Sequence, residues 1–154
     1  MAALARAAEP ARPGAAVDPV AFFTGRTEGT GSLDEIASSP KAMRCTGVGA
    51  VRASDVFVLD QILEIAGEPT KRRQWQLRRT GPGQYSGTIS DARGPVTIAV
   101  TGNRMRIGYI MKEGGMRVES VLTLASDGRS ASNSTKIRKL GFVVATLNET
   151  IRKV

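Results

Sequence analysis

Between Lys71 and Met111 the chain repeats one pattern: a short run with apolar residues at every second position, then a turn cluster. The runs are K-R-R-Q-W-Q-L-R-R-T, Q-Y-S-G-T-I-S, P-V-T-I-A-V and R-M-R-I-G-Y-I-M. The separators are G-P-G, D-A-R-G and T-G-N. Alternation with a period of two is the period of a strand, because successive side chains leave a strand on opposite faces. Gly, Pro, Asn and Asp supply the backbone conformations that a tight reversal needs. This stretch therefore reads as an antiparallel meander. Arg73, Trp75, Leu77 and Arg79 share one face, as do Tyr85, Gly87 and Ile89, and as do Met105, Ile107, Tyr109 and Met111.

The flanking sequence extends the pattern. Asp18-Pro19-Val20-Ala21-Phe22-Phe23 reads as a short helical turn, with Asp18 as N-cap and Pro19 at the first helical position. Arg26 to Ile36 and Lys41 to Val51 read as strands. Each has glycines two apart, Gly29 with Gly31 and Gly47 with Gly49, so each pair lies on one face where a strand or ligand can approach the backbone. Asp55 to Ala66 fits both periods, and its Val-Phe-Val-Leu core favours a strand. Met116–Ala125, Ser130–Leu140 and Phe142–Val154 follow, with Ser126-Asp127-Gly128-Arg129 as a hairpin signal. Nine or ten strands joined by short turns predict an all-β chain, a single antiparallel up-and-down barrel over residues 18–154. Closure removes the unpaired edges that an open meander leaves.

Composition narrows the chemistry. The 154-residue chain contains no histidine and one cysteine, Cys45. That excludes an intrachain disulfide and every Ser-His or Cys-His catalytic pair, and it leaves too few ligands for a usual zinc site. No metal or other cofactor is expected. Cys45 falls in a strand and reads as a small buried apolar residue. Residues 1–66 carry 6 basic and 8 acidic side chains, a net of −2; residues 67–154 carry 16 basic and 6 acidic, a net of +10. The basic half suits an anionic ligand, an acidic polymer or peripheral association with an anionic membrane. The plainer reading is a solvated barrel exterior. Arg104, Arg106, Lys112 and Arg117 form an outward stripe without interleaved aromatics, so no specific nucleic-acid partner is expected.

Residues 1–17 are rich in Ala, Arg and Pro and read as a disordered leader. Within them Ala5-Arg6-Ala7 has the small-x-small form of a signal-peptidase site. A start placed upstream makes the protein periplasmic or secreted; otherwise it is cytoplasmic. No run approaches the ~20 apolar residues of a membrane-spanning helix.

Several short motifs, in order, carry a resemblance. They are Phe23-Thr24-Gly25, Gly29-x-Gly31, Arg73-x-Trp75-x-Leu77, Gly83-x-Tyr85-x-Gly87-Thr88, the Asp91 to Gly94 turn, Gly102-Asn103, Tyr109, and Asn133 to Gly141 with Lys136 and Lys139. Over residues 20–153 the chain resembles an uncharacterised bacterial family of exported, lipocalin-like proteins. The resemblance implies a barrel of lipocalin or calycin type and no particular activity.

A barrel of this size either fills its interior with side chains or holds one small ligand. Gly29, Gly31, Gly47, Gly49, Gly87 and Gly108 lower side-chain volume, which favours a cavity if several of them face inward. Trp75, Tyr85 and Tyr109 supply apolar walls with polar tips, and Arg73, in phase with Trp75, can meet a carboxylate or phosphate. Asp91 is an acid set among basic strands. These five residues form the candidate ligand site. The competing readings make the aromatics plain core, pair Arg73 with Asp91 or Glu64, and place Asp91 in an Asx-turn. The function expected is non-catalytic binding of a small hydrophobic or amphiphilic molecule inside the barrel, with a basic region suited to an anionic head group. The alternatives are a barrel-pocket isomerase or lyase acting on an acidic small molecule, and a basic module that binds membranes or acidic polymers.

Overall fold

The computed structural model describes residues 17–154. The expectations for a leader and a signal-peptidase site fall on residues 1–16 and lie outside the described residues. Val17, assigned to that leader, belongs to the fold: it is buried, and its N–H donates to the Gly102 carbonyl at 3.0 Å.

Helix α1 (Pro19–Phe23) opens the fold. Asp18 caps it, its Oδ1 accepting from the N–H groups of Val20 at 3.0 Å and Ala21 at 3.1 Å. Ten strands follow: β1 (Gly25–Glu35), β2 (Lys41–Val51), β3 (Phe57–Ile65), β4 (Lys71–Gly81), β5 (Gln84–Ile89), β6 (Ala92–Thr101), β7 (Arg104–Met111), β8 (Arg117–Leu124), β9 (Ser130–Lys139) and β10 (Phe142–Lys153). Each pairs antiparallel with its neighbours in sequence, and β1 pairs with β10 to close the barrel. The expected all-β up-and-down barrel is the fold observed. The stretch with two periods is a strand, as β3, shortened at its start by a 3-10 turn over Ala53–Asp55.

One end of the barrel is plugged. Phe22 and Phe23 of α1 pack into a core that includes Phe57, Leu77, Val96, Ile98, Met105, Leu122 and Ile151, all buried. Lys153, at the far end of β10, locks the plug. Its ammonium donates to the carbonyls of Ala21 at 3.0 Å, Phe22 at 2.7 Å and Thr24 at 3.0 Å, groups that a five-residue helix leaves without partners.

Two expectations are corrected here. The expected turn at Asp91 to Gly94 lies earlier, at Ser90-Asp91, and β6 begins at Ala92. Gly94 (φ +74°) and Pro95 instead form an irregularity inside β6, between Arg93 and Thr97, where proline has no N–H to give the ladder. The glycines also do not simply hollow the barrel. A side chain at Gly49 would meet the Phe23 carbonyl and the Phe57 ring, and one at Gly29 would meet the Glu149 carboxylate. The space is already taken by the plug and by a strand neighbour. Gly108 alternates with the inward Ile107 and Tyr109 and lies out of their phase; a Cβ there would meet only the Thr97 hydroxyl, at 3.8 Å.

Gly49→Ala is accordingly expected to lower stability by about 1–3 kcal/mol through overpacking against the plug. Gly108→Ala is expected to stay within about 0.5 kcal/mol of the parent. Urea midpoints of the two variants, measured side by side, check this.

Candidate functional site

Away from the plug the barrel is open, and a cavity of about 840 Å³ occupies this half. The inward side chains form three levels. The plugged core is the floor. Next comes a belt of polar groups from different strands: Gln61 on β3, Arg73 on β4, Asp91 before β6, Tyr109 on β7, Asn133 on β9 and Glu149 on β10. Nearer the mouth is an apolar collar that includes Leu33, Met43, Leu63, Met111, Val118 and Leu147.

Arg73 is the centre of the belt. Strand alternation sends it inward with Trp75 and Leu77, while Arg72, Gln74 and Gln76 face solvent. Gln61 lies directly opposite it on β3. The Gln61 Oε1 accepts from Arg73 Nε at 2.8 Å and from Trp75 Nε1 at 2.7 Å. The guanidinium also stands 5.6 Å from the centre of the Trp75 ring, a cation–π distance. Trp75 meets Tyr109 edge to face at 6.0 Å. One amide oxygen and two rings thus orient the guanidinium. Among the described residues, no carboxylate oxygen lies within 4.0 Å of it.

The ionisable groups around Arg73 respond to burial. Burial works against the Arg73 charge itself, but Tyr109, Cys45, Asp91 and Glu149 outweigh it and hold the guanidinium pKa above its ordinary value. Burial raises the Tyr109 phenol despite the opposing Arg73, so Tyr109 is neutral at physiological pH. Burial raises the Glu149 carboxyl, opposed in part by Asn133 and Arg73; Asn133 Nδ2 donates to Glu149 Oε1 at 3.0 Å. The Cys45 thiol is pushed up to about 11, first by burial, and stays protonated. Two acceptors in the wall, Asp91 Oδ1 and Asn133 Oδ1, are buried without a hydrogen-bond partner among the described residues. Beside the belt, the Ser120 and Thr135 hydroxyls satisfy one another at 2.7 Å.

Four of the five expected site residues, Arg73, Trp75, Asp91 and Tyr109, line one cavity. Tyr85 does not. It has the inward phase but sits at the plugged end, half-buried against the core. The alternative pairings of Arg73 are not formed. Glu64 is on the outer face opposite Arg44, and Asp91 faces the cavity without reaching bonding distance. Nor does the Asp91 side chain make an Asx-turn, since Oδ1 is without a partner. Gln61, Asn133 and Glu149 were missed. Each is a polar residue in the apolar phase of its strand: Gln61 alternates with Leu59 and Leu63, and Glu149 with Leu147 and Ile151. That signal is visible in the sequence.

Comparison with known proteins agrees with this architecture. A solved structure of an S-type phycobiliprotein lyase from Guillardia theta superposes with a TM-score of 0.66 at 7% identity, covering 88% of this chain and 90% of that one. A crystal structure of a protein of unknown function from the DUF3598 family of Nostoc punctiforme superposes with a TM-score of 0.59 at 13% identity. That alignment covers 96% of this chain and 53% of the other, so this chain spans about half of that protein. These likenesses show the fold. No match is found among curated proteins.

Two outcomes follow from the burial of the belt. Cys45 is expected to resist thiol reagents at mildly alkaline pH in the native protein and to react freely in denaturant, as read by mass spectrometry of the labelled chain. Because the folded state holds the Glu149 proton to higher pH than the unfolded chain does, its contribution is fully present below the ordinary glutamate range. It is lost as pH rises through the raised pKa. Glu149→Gln should flatten that part of the stability profile in urea melts at a series of pH values.

A model of the family described as protein of unknown function (DUF3833) matches residues 4–153, and the chain belongs to that family.

Proposed function

We propose that the barrel binds one small amphiphile head first, with an anionic or strongly accepting head group on Arg73 and its apolar body in the collar toward the mouth. The observation that carries this reading is the guanidinium of Arg73, held in a cavity wall with no carboxylate partner among the described residues. An inward charge is costly to desolvate unless it is paired. A ligand carboxylate or phosphate supplies the missing partner, and the planar fork of arginine suits either group.

The surroundings support that chemistry. Gln61 takes up one donor of the fork and sets its direction. Tyr109 is a neutral phenol beside it, able to donate to a ligand oxygen. Asp91 Oδ1 and Asn133 Oδ1 are acceptors in wait of a donor, which suits a head group or chain bearing a hydroxyl or N–H as well. About 840 Å³ lies within the roughly 300–1,000 Å³ span of small-molecule pockets. The apolar collar removes the ligand body from water at about 25 cal/mol per Å². The fold shared with a phycobiliprotein lyase is compatible with a barrel that receives a small molecule. A mouth open to solvent and a head group seated below an apolar collar define the direction of entry.

A second reading has one observation in its favour: Arg73, Asp91 and Tyr109 converge on a single cavity. In an isomerase or lyase acting on an acidic small molecule, Arg73 would anchor the substrate, Asp91 would take a proton and Tyr109 would donate one. Analysis of the released ligand separates the two: a binder returns it unaltered.

The binding reading is tested by titrating Trp75 fluorescence with a medium-chain fatty acid, the matching alcohol and the matching amine. The acid is expected to bind most tightly. Arg73→Met should weaken the acid by roughly tenfold or more, the loss of a charged hydrogen-bonded contact of about 1.5–3 kcal/mol, and change the alcohol little. An amine that binds as tightly as the acid, or an Arg73→Met variant with undiminished acid binding, would exclude it.

A further inference from the structure

The mouth of the barrel carries a second feature, separate from the cavity. Among the described residues three large apolar side chains stand out at this end: Leu140, 91% exposed, Phe142, 75% exposed, and Ile36, 67% exposed. Leu140 and Phe142 flank the tip of the β9–β10 hairpin, where Leu140 (φ +51°) and Gly141 (φ +83°) make the reversal. Ile36 belongs to the neighbouring β1–β2 turn, and its N–H donates to the Val144 carbonyl at 3.1 Å. Both Ile36 and Val144 line the cavity, so the exposed apolar tip runs into the mouth. A leucine in a left-handed turn position is unusual, since Asn or Gly meets that conformation at lower cost. An apolar side chain held there in water does nothing for the fold.

Charge lies just behind this tip. Arg117, Lys136, Arg138 and Lys139 occupy the adjoining stretch of β8 and β9, against Glu119. Glu119 accepts from Arg138 Nε at 2.7 Å, and Arg117 sits directly opposite Arg138 in the strand register. Facing like charges destabilise a sheet pair, and an anion laid against them relieves the repulsion. The β1–β2 flank of this tip, which carries Ile36, differs: there Lys41 is taken up by Glu35 at 2.9 Å and Glu68 at 3.3 Å. The unneutralised positive charge at this tip therefore lies on its β8–β9 flank.

We propose that the β9–β10 hairpin docks the mouth of the barrel on an anionic lipid bilayer. Leu140 and Phe142 enter the acyl boundary, and Arg117, Lys136 and Lys139 meet the lipid phosphates. Apolar tips backed by basic residues match the layered chemistry of a bilayer surface, with hydrocarbon beneath an anionic plane. A protein partner or a second copy would need matching apolar and acidic surfaces. Of the acids that line this chain's own mouth, Glu35 and Glu68 are already engaged by Lys41, which leaves Glu113 of the β7–β8 turn. The docking needs no ligand in the cavity, so it stands or falls separately from the binding reading above.

Vesicle co-sedimentation of the full chain tests it, with phosphatidylcholine vesicles and with vesicles in which phosphatidylglycerol replaces part of the phosphatidylcholine. The parent protein is expected to bind the anionic vesicles and to leave them as salt is raised. Leu140→Asn with Phe142→Ser should lower partitioning by roughly tenfold or more, through the apolar surface lost. Arg117→Gln with Lys139→Gln should lower it about fivefold per charge on anionic vesicles only. Val48→Ser, on the outer wall away from the mouth, should bind like the parent. Independently, the fluorescence added by Phe142→Trp should be quenched by brominated lipid while Trp75 emission is not. Failure to bind anionic vesicles at low salt overturns the proposal, as does binding that the hairpin substitutions leave unchanged. Self-association abolished by Leu140→Asn with Phe142→Ser, without vesicle binding, assigns the face to a second copy instead.

Discussion

The antiparallel pairing of β1 with β10, from Thr27 opposite Lys153 to Glu35 opposite Ala145, is the contact on which the other features rest. It joins the two ends of the described chain, and it leaves no strand in the barrel with an unpaired edge. It also sets two side chains in place. Gly29 stands opposite Ile151 beside Glu149, and the absence of a side chain on Gly29 gives the Glu149 carboxylate its room. At the far end of β10, Lys153 reaches across the same seam to the exposed carbonyls of α1. Closure, the plug and part of the polar belt thus depend on one ladder.

The plug divides the interior by chemistry. Below the belt, Phe57, Val96, Met105 and Leu122 are packed out of solvent. Above it the barrel is open, and the polar groups of the belt meet the cavity. The belt is internally mismatched: its cation has no carboxylate at bonding distance among the described residues, while two acceptor oxygens have no donor. Burial raises the Glu149 carboxyl, which works against its charged form, and its Oε1 is taken up by Asn133 rather than by Arg73. A site built only for stability would pair these groups or replace them with apolar ones. Their separation is what gives the cavity a chemical preference, and the collar above adds a preference for an apolar body.

Much of this was legible before folding. The alternation of Met105, Ile107 and Tyr109 places those side chains inside the barrel, and that of Arg73, Trp75 and Leu77 puts them on one face; the structure agrees and turns that face inward. Depth was not legible. Tyr85 has the right phase but lies at the plugged end, because phase says which face a residue occupies and nothing of its height along the barrel axis. The glycines misled for a related reason. A missing side chain is space only if nothing else enters it, and at Gly49 the end of α1 does. Glu149 and Asn133 were passed over although a polar residue in an apolar phase is a signal, since each looks ordinary within its own strand.

By itself the sequence determined the strand periods, most of the turns, the cap on α1 and hence an all-β antiparallel barrel of nine or ten strands, since these depend on residues near one another in the chain; the structure has ten. It also put Arg73 in phase with Trp75, but only the structure turned that face inward. Only the tertiary structure decided what Arg73 meets there. Gln61, Tyr109, Asp91 and Glu149 come from β3, β7, the turn before β6 and β10, and only the register of each ladder and the closure of the ring bring them to one cavity. Whether a buried charge is paired is a property of distances between strands, and those distances are set by packing rather than by pattern.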